Sequence, residues 1–164
     1  MEIFISSDGR QKMFIDSVLC VAEEKRIILQ SLGIDLVPIF PPRNIGCDSG
    51  DILERVLRIE GASLVFMNVT PIATSEEMPV INSGVCVEYG ILLGIRRLEK
   101  CHLFCSKEYD RSEVSPLFHG RHIDSFRTDH QDNLKVLLND YIDKYLARST
   151  SEFEKRIQES SRTR

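Results

Sequence analysis

The run Asn82-Ser83-Gly84-Val85-Cys86-Val87-Glu88-Tyr89-Gly90-Ile91-Leu92-Leu93-Gly94 contains a single charged side chain, Glu88. Its pattern predicts a helix over Val85 to Leu98 with Asn82 or Ser83 as the cap, and a helix apolar on nearly every side is packed on several of them. Glu88 is therefore expected to be buried about one turn in from the positive end of that helix. A carboxylate there must find a partner or shift its protonation. Two uses are open. Glu88 can form a buried structural pair with an arginine such as Arg10, Arg43 or Arg121. Alternatively it faces a crevice and acts on a sugar, because a carboxylate set against an anomeric carbon can attack it or stabilise an oxocarbenium ion. A pocket with Glu88 at its floor would favour the second use, and Glu88 locked to an arginine under the sheet would sink it. The glycines of the run each cost about 1 kcal/mol relative to alanine in a helix. They permit close approach of a ligand or of another backbone.

The elements that must position Glu88 alternate between apolar runs and helical patterns, which is the signature of a parallel sheet with helices on its faces. Strands are expected at Glu2 to Ser6, Ile34 to Phe40, Leu64 to Val69, Cys101 to Cys105 and His122 to Phe126, the second at an edge or ending early because of Pro38. Helices follow the first strand up to Gly33, run from a cap at Ser49 to Gly61, and cover Asn133 to Leu146. Thr70 to Ser83, with two prolines and the acidic pair Glu76 and Glu77, reads as a long binding loop. The expected fold is a three-layer α/β domain of flavodoxin or Rossmann-like type with a mostly parallel sheet of four or five strands. It occupies residues 1–147, and a polar tail, frayed or disordered, occupies 148–164.

In such sheets ligands sit beyond the C-terminal ends of the strands. The loops there begin at Ser6, Phe40, Asn68 and Ser106. The first, Ser6-Ser7-Asp8-Gly9-Arg10, offers hydroxyls, a carboxylate and an arginine able to hold a ribose or phosphate. Asp8-Gly9 equally suits an Asx turn that starts the next helix. The candidate site is thus Glu88 with Ser6, Ser7, Asp8, Arg10, Phe40, Asn68, Ser83 and Gly84. His119 and His122 are surface loop histidines, and Tyr89 belongs to the core.

Composition bounds the rest. The chain has 164 residues, 21 Lys plus Arg against 25 Asp plus Glu, and a net charge of −4. No basic face exists for direct nucleic-acid binding, and no apolar segment is long enough for a signal or a membrane span, so a cytoplasmic protein is expected. The five cysteines are scattered without ligand spacing and read as reduced core thiols, with Cys101 and Cys105 on one face of a strand. No metal site is expected. P-loop, dinucleotide-fingerprint, zinc-protease and esterase motifs are missing.

The segments Val65-Phe66-Met67-Asn68-Val69-Thr70-Pro71 and Asn82-Ser83-Gly84-Val85-Cys86-Val87-Glu88-Tyr89-Gly90 resemble the TIR-like nucleotide-binding domains. They are also similar to the nucleoside 2-deoxyribosyltransferases and deoxynucleotide N-hydrolases. The stretch from Tyr109-Asp110 to Pro116-Leu117-Phe118-His119-Gly120-Arg121-His122-Ile123 resembles the TIR-like group as well. The resemblance implies that Glu88 attacks or stabilises C1′ of a ribosyl unit. It also makes Ser6, Ser7 and Asp8 ribose or phosphate ligands and Ser83 and Gly84 further contacts. Asn68 stands where many relatives carry an acid; it can orient a ribose hydroxyl but cannot share a proton with Glu88. The implied activity is cleavage of an N-glycosidic bond in a nucleotide, with NAD as the leading substrate rather than a cofactor. A deoxynucleoside monophosphate N-hydrolase or 2-deoxyribosyltransferase is the first alternative, and a non-catalytic nucleotide sensor the second. Self-association and a role in antiviral defence are further implications of the TIR-like resemblance.

Overall fold

The computed structural model describes residues 1–41, 49–73, 79–109, 114–118 and 120–162. Strands β1 (Glu2–Ser6), β2 (Val37–Ile39), β3 (Leu64–Asn68), β6 (Cys101–Ser106) and β7 (Ile123–Phe126) form one sheet in the order β2-β1-β3-β6-β7. All neighbours are parallel, in the register Phe4 to Val65, Met67 to Leu103 and Phe104 to Asp124. This is the flavodoxin-like arrangement expected from the sequence.

Alternation along the strands divides the core into two layers. Ile3, Ile5, Phe66, Phe104 and Phe126 pack under α1 (Lys12–Gln30) and α4 (Gln131–Arg162). The predicted stripe of α4 supplies Leu134, Leu138 and Ile142. Phe4, Val65, Met67, Leu103 and Cys105 pack against Ile59 of α2 (Ser49–Gly61) and Val85, Tyr89 and Leu92 of α3 (Ser83–Gly94). Cys101 and Cys105 lie on this same side, and none of the four described cysteines is in a disulfide. Cys47 lies outside the described residues.

Four boundaries differ from the sequence expectation, the first three for a local reason. The segment 34–40 contributes only the three-residue edge strand β2. Gly33 takes φ +73° there, and the Ile34 amide donates back to Leu29 O at 3.0 Å, so the chain is still closing α1. The connection after β3 is not wholly irregular: β4 (Ile72–Ala73) and β5 (Pro79–Val80) pair antiparallel, with Ile72 opposite Val80. Helix α3 stops at Gly94 rather than Leu98, because Arg96 turns to φ +56° and Leu98–Lys100 form a 3-10 turn. That turn aims Lys100 Nζ at the carbonyls of Ile59, Glu60 and Ala62, at 2.7 to 2.9 Å, where it satisfies the end of α2. Helix α4 continues through the polar tail to Arg162. No described helix is long and apolar enough to cross a membrane.

Candidate active site at the switch point

From β1 the chain turns outward to β2 on one side and returns to β3 on the other, so the loops after β1 and β3 part company and leave a crevice. Ser6 ends β1 with its side chain towards α2 and α3. Its hydroxyl donates to Glu88 Oε2 at 2.5 Å. The guanidinium of Arg55, from α2, donates to Glu88 Oε1. Glu88 is 2% exposed and Arg55 13%. Burial drives the Glu88 carboxyl up to about 7, against the pull of the Ser6 hydroxyl and of Arg55.

Of the two uses read from the sequence, the arginine pair is present, and the arginine is Arg55 rather than any of the three named. Arg10 pairs with Asp8, and Arg121 Nη2 donates to Leu98 O at 3.4 Å; Arg43 lies outside the described residues. The Glu88–Arg55 pair stands at the C-terminal edge beside the last residue of β1 rather than beneath the sheet. A carboxylate has about four lone-pair positions. Among the described residues Ser6 and Arg55 take one on each oxygen.

Asp8 is the second carboxylate of the crevice. Its Oδ1 accepts from the Arg10 amide at 2.9 Å, the expected Asx turn, and from Arg10 Nε at 2.9 Å. Its Oδ2 accepts from Asn82 Nδ2 at 2.6 Å. The Arg10 guanidinium, with the Arg10 amide and Asn82 helping, holds the carboxyl at about 2. Asn82 in turn caps α3, accepting the Gly84 amide at 2.8 Å. A Cβ at position 84 would lie 2.9 Å from Asn82 Oδ1, so any larger residue there would displace the capping side chain. The loop after β1 and the helix carrying Glu88 are thereby locked to one another. The two carboxyls therefore differ in protonation at neutral pH, Asp8 held ionised by Arg10 and Glu88 raised by burial.

Asn68 has another task. Its Nδ2 donates to Gln11, and its Oδ1 accepts from the Thr70 amide at 3.0 Å and the Thr70 hydroxyl at 2.6 Å. The Thr70 hydroxyl accepts the Ser106 amide at 2.9 Å, and Gln11 Nε2 donates to Thr70 O at 3.1 Å. The network ties the exits of β3 and β6 to the start of α1. Among the other candidates, Ser7 is half-buried, Ser83 is exposed on the first turn of α3, and Phe40 is exposed at the end of β2 with its carbonyl accepting from Arg58. A cavity of about 340 Å³ opens at this edge on the α1 side, lined by Arg10, Gln11, Thr70 and Ser106 among others. Glu88 is not in its wall. Of the histidines, His122 is exposed and sits 3.0 Å from Asp124, and His119 lies outside the described residues. Tyr89 is core, packed against Phe118 with ring centroids 4.6 Å apart and the planes tilted by 58°. Among the described residues no group of three or more His, Cys, Asp or Glu is placed to hold a metal ion.

No family model and no curated protein matches the chain. Among solved structures, it is similar to a 2-desoxiribosyltransferase from Leishmania mexicana. The two share 15% identity over 75% of this chain and 89% of that one, with a TM-score of 0.45.

Sequence reading missed Arg55, Gln11 and Thr70. Arg55 sits in a helix with four other charged residues, Asp51, Glu54, Arg58 and Glu60, of which Glu54 and Arg58 pair with each other on the surface, so nothing in the local pattern marks it as the one that turns inward. The signal available for Thr70 was only its place two residues beyond β3, where a hydroxyl can bond its own backbone and a neighbouring strand.

Proposed function

We propose that this chain cleaves the bond between a ribosyl carbon and a base in a nucleotide, with Glu88 as the carboxylate that captures or stabilises the ribosyl cation as the base departs. The observation that carries the reading is the placement of a buried carboxylate at the switch-point edge, oriented from two sides by Ser6 and Arg55. The Arg55 charge favours the ionised form that chemistry at C1′ needs, while burial keeps the carboxylate poorly solvated and hence reactive. Water or another acceptor completes hydrolysis, cyclisation or transfer. Asp8, held ionised, and the hydroxyls of Ser7 and Ser83 are the groups proposed to contact ribose or phosphate.

NAD is the first substrate proposed, consumed as substrate and not retained as cofactor. One observation favours the deoxynucleotide alternative. Asn68 is 2% exposed, with Nδ2 donating to Gln11 and Oδ1 accepting from Thr70, so the end of β3 offers little of this side chain to a ribose 2′-hydroxyl, a group that deoxyribose lacks.

The test is incubation of the protein at high concentration with NAD, NADP and a panel of deoxynucleoside monophosphates, followed by chromatography of the released base. Nicotinamide release that disappears in Glu88→Gln supports the NAD reading, and release of a nucleobase moves the assignment to the deoxynucleotide class. Ligand-dependent thermal stabilisation with no release from any of them overturns the enzyme and leaves a nucleotide sensor.

A further inference from the structure

The loop from β1 into α1 has two sides. On one, Asp8 reaches Asn82 and so the helix that carries Glu88. On the other, Arg10 and the first turn of α1 wall the cavity of about 340 Å³, opposite the residues that leave β3, β6 and β7. Phe14 and Phe126 line it and are 1% and 2% exposed, with ring centroids 6.0 Å apart, so its deep part is aromatic and apolar. Its inner polar groups are already used. Thr70 bonds Asn68 and the Ser106 amide, and the Ser106 hydroxyl accepts the Glu108 amide at 3.2 Å. Charge is left to the mouth, where Arg10, Lys12 and Glu108 are exposed. Glu108 accepts the Thr128 hydroxyl, whereas Lys12 has no hydrogen-bond or ion-pair partner among the described residues. An apolar recess with a few polar groups at its rim is the usual build of a small-molecule site, and this volume lies at the low end of the range of about 300–1,000 Å³.

We infer that this cavity is a second ligand site, taking one planar aromatic ring that carries a phosphate, no larger than a nucleoside monophosphate, and that its occupant communicates with the crevice through Arg10. The ring lies against Phe14 and Phe126, whose faces and edges favour another flat ring. The phosphate meets Lys12 and the Arg10 guanidinium, the two cations of the mouth, which match the double charge of a phosphate monoester. The occupant is not the reacting molecule. The rings that line the cavity belong to the layer under α1 and α4, and Glu88 stands on the other face of the sheet with α2 and α3. Arg10 links the two sides. Its Nε and Nη2 donate to Asp8 at 2.9 and 3.2 Å while its side chain stays 69% exposed. A pair that open to water is weak, so a phosphate at the mouth draws the guanidinium away. Asp8 then keeps its bond to Asn82 and loses its cation. The coupling is reciprocal: an anion that draws Arg10 into the crevice weakens the cavity site by the same factor. Binding in the cavity does not depend on the chemistry assigned to Glu88.

Titration of the isotope-labelled full chain with adenosine monophosphate, followed by amide NMR, tests it, with adenosine and inorganic phosphate as separate probes. Amides of Lys12, Tyr109 and Thr128 should move and saturate with the monophosphate, and at least tenfold more weakly with either part alone. The same spectra follow Ser83 and Glu88, so a ligand in the crevice is seen separately. Lys12→Glu should weaken the cavity curve at least tenfold, and Thr128→Trp, which fills the mouth, should abolish it; both positions are exposed, so the fold is kept. Saturation should also raise the titration of the Asp8 carboxyl. Shifts confined to Ser83 and Glu88 overturn the cavity site and leave the function proposed above intact, whereas a failure of base release leaves the cavity result standing. No shift at any of these amides, adenosine binding as tightly as its monophosphate, or a cavity curve that Lys12→Glu leaves unchanged overturns the site. An Asp8 titration that stays in place under saturating ligand overturns the link through Arg10.

Discussion

The hydroxyl of Ser6, the last residue of β1, donates to Oε2 of Glu88 at 2.5 Å across 82 positions of sequence. Ser6 is fully buried and its neighbours in the strand are core, so the donor has no freedom to turn elsewhere. Glu88 is therefore aimed by the packing of α3 on the sheet, and Arg55 completes the cradle from α2. Each of these three side chains comes from a different element, which makes the site sensitive to how the layers pack.

Removing the hydroxyl in Ser6→Ala takes away a hydrogen bond to an ionised group, a contribution of about 1.5–3 kcal/mol. The carboxylate loses more than the carboxylic acid does, so the Glu88 carboxyl should move above its present value of about 7. If turnover requires the ionised form, the pH at which activity reaches half its plateau rises with it. A pH–rate profile of Ser6→Ala against the wild type reads this directly, and an unmoved profile would show that Ser6 does not tune Glu88.

Arg55→Gln should be harsher. Deleting one partner of a buried pair typically costs about 3–5 kcal/mol, and here the lower end applies because Glu88 can take up a proton in response. Urea denaturation at neutral pH should show that loss, with Arg55→Lys recovering part of it. The same variant should leave Glu88 protonated at pH 7, detectable as a raised carboxyl titration by carbon-detected NMR.

Burial gives Glu88 a signature in the stability of the whole protein. Its folded-state carboxyl titrates near 7 where an exposed one titrates near 4.5. Between those values the folded protein holds a proton that the unfolded chain has lost, so stability falls as pH rises through this window. The fall is on the order of 3 kcal/mol at 1.36 kcal/mol per pKa unit. Glu88→Gln has no proton to lose, and its unfolding free energy should be flatter between pH 4.5 and pH 7. Denaturation series at pH 5 and pH 8 on both proteins measure the difference of slopes.

The central strands were legible because Glu2 to Ser6, Leu64 to Asn68 and Cys101 to Ser106 are short apolar runs bounded by polar turns, and a sheet covered on both faces asks for nothing else. Glu88 was legible as the one charge in an apolar helix. Its partner was not, since Arg55 is 33 positions away and its direction is decided by how α2 crosses the sheet, a tertiary property. The β4–β5 pair was illegible for the opposite reason, because two-residue arms, one of them led by Pro79, carry too few residues to show a period. Asn68 was read by position as a ribose contact, and only the arrival of Gln11 and Thr70 in space shows the hydrogen bonds it makes within the protein.

Asn82 links the two halves of the crevice, capping α3 through Gly84 and bonding Asp8. Asn82→Ala should lose about 1 kcal/mol for the cap and let the Asp8 carboxyl rise from about 2 towards the ordinary range, since one of the bonds holding it down is gone. Asp8 contributes stability that is present above its unfolded value near 3.8 and disappears as pH falls towards 2. The variant should consequently be less dependent on pH in that acid range, as acid-unfolding curves would report. Asn82→Asp should retain the cap and place a like charge against Asp8, giving a protein that is stable at pH 3 and weaker at pH 7.

Thr70 separates structural loss from loss of chemistry. Its hydroxyl donates to Asn68 Oδ1 and accepts the Ser106 amide, all within buried surroundings. In Thr70→Val the shape is kept while the Ser106 N–H is left without its acceptor and Asn68 loses a donor, which should cost about 1–3 kcal/mol. The exits of β3 and β6 would then loosen, and amide exchange at Ser106 should quicken selectively. Thr70→Ser keeps both bonds and should stay close to the wild type. Glu88 is attached to the sheet through Ser6 rather than through this network, so its titration should be unchanged in Thr70→Val. A shifted Glu88 titration in that variant would show that the two hydrogen-bond systems at the crevice are coupled.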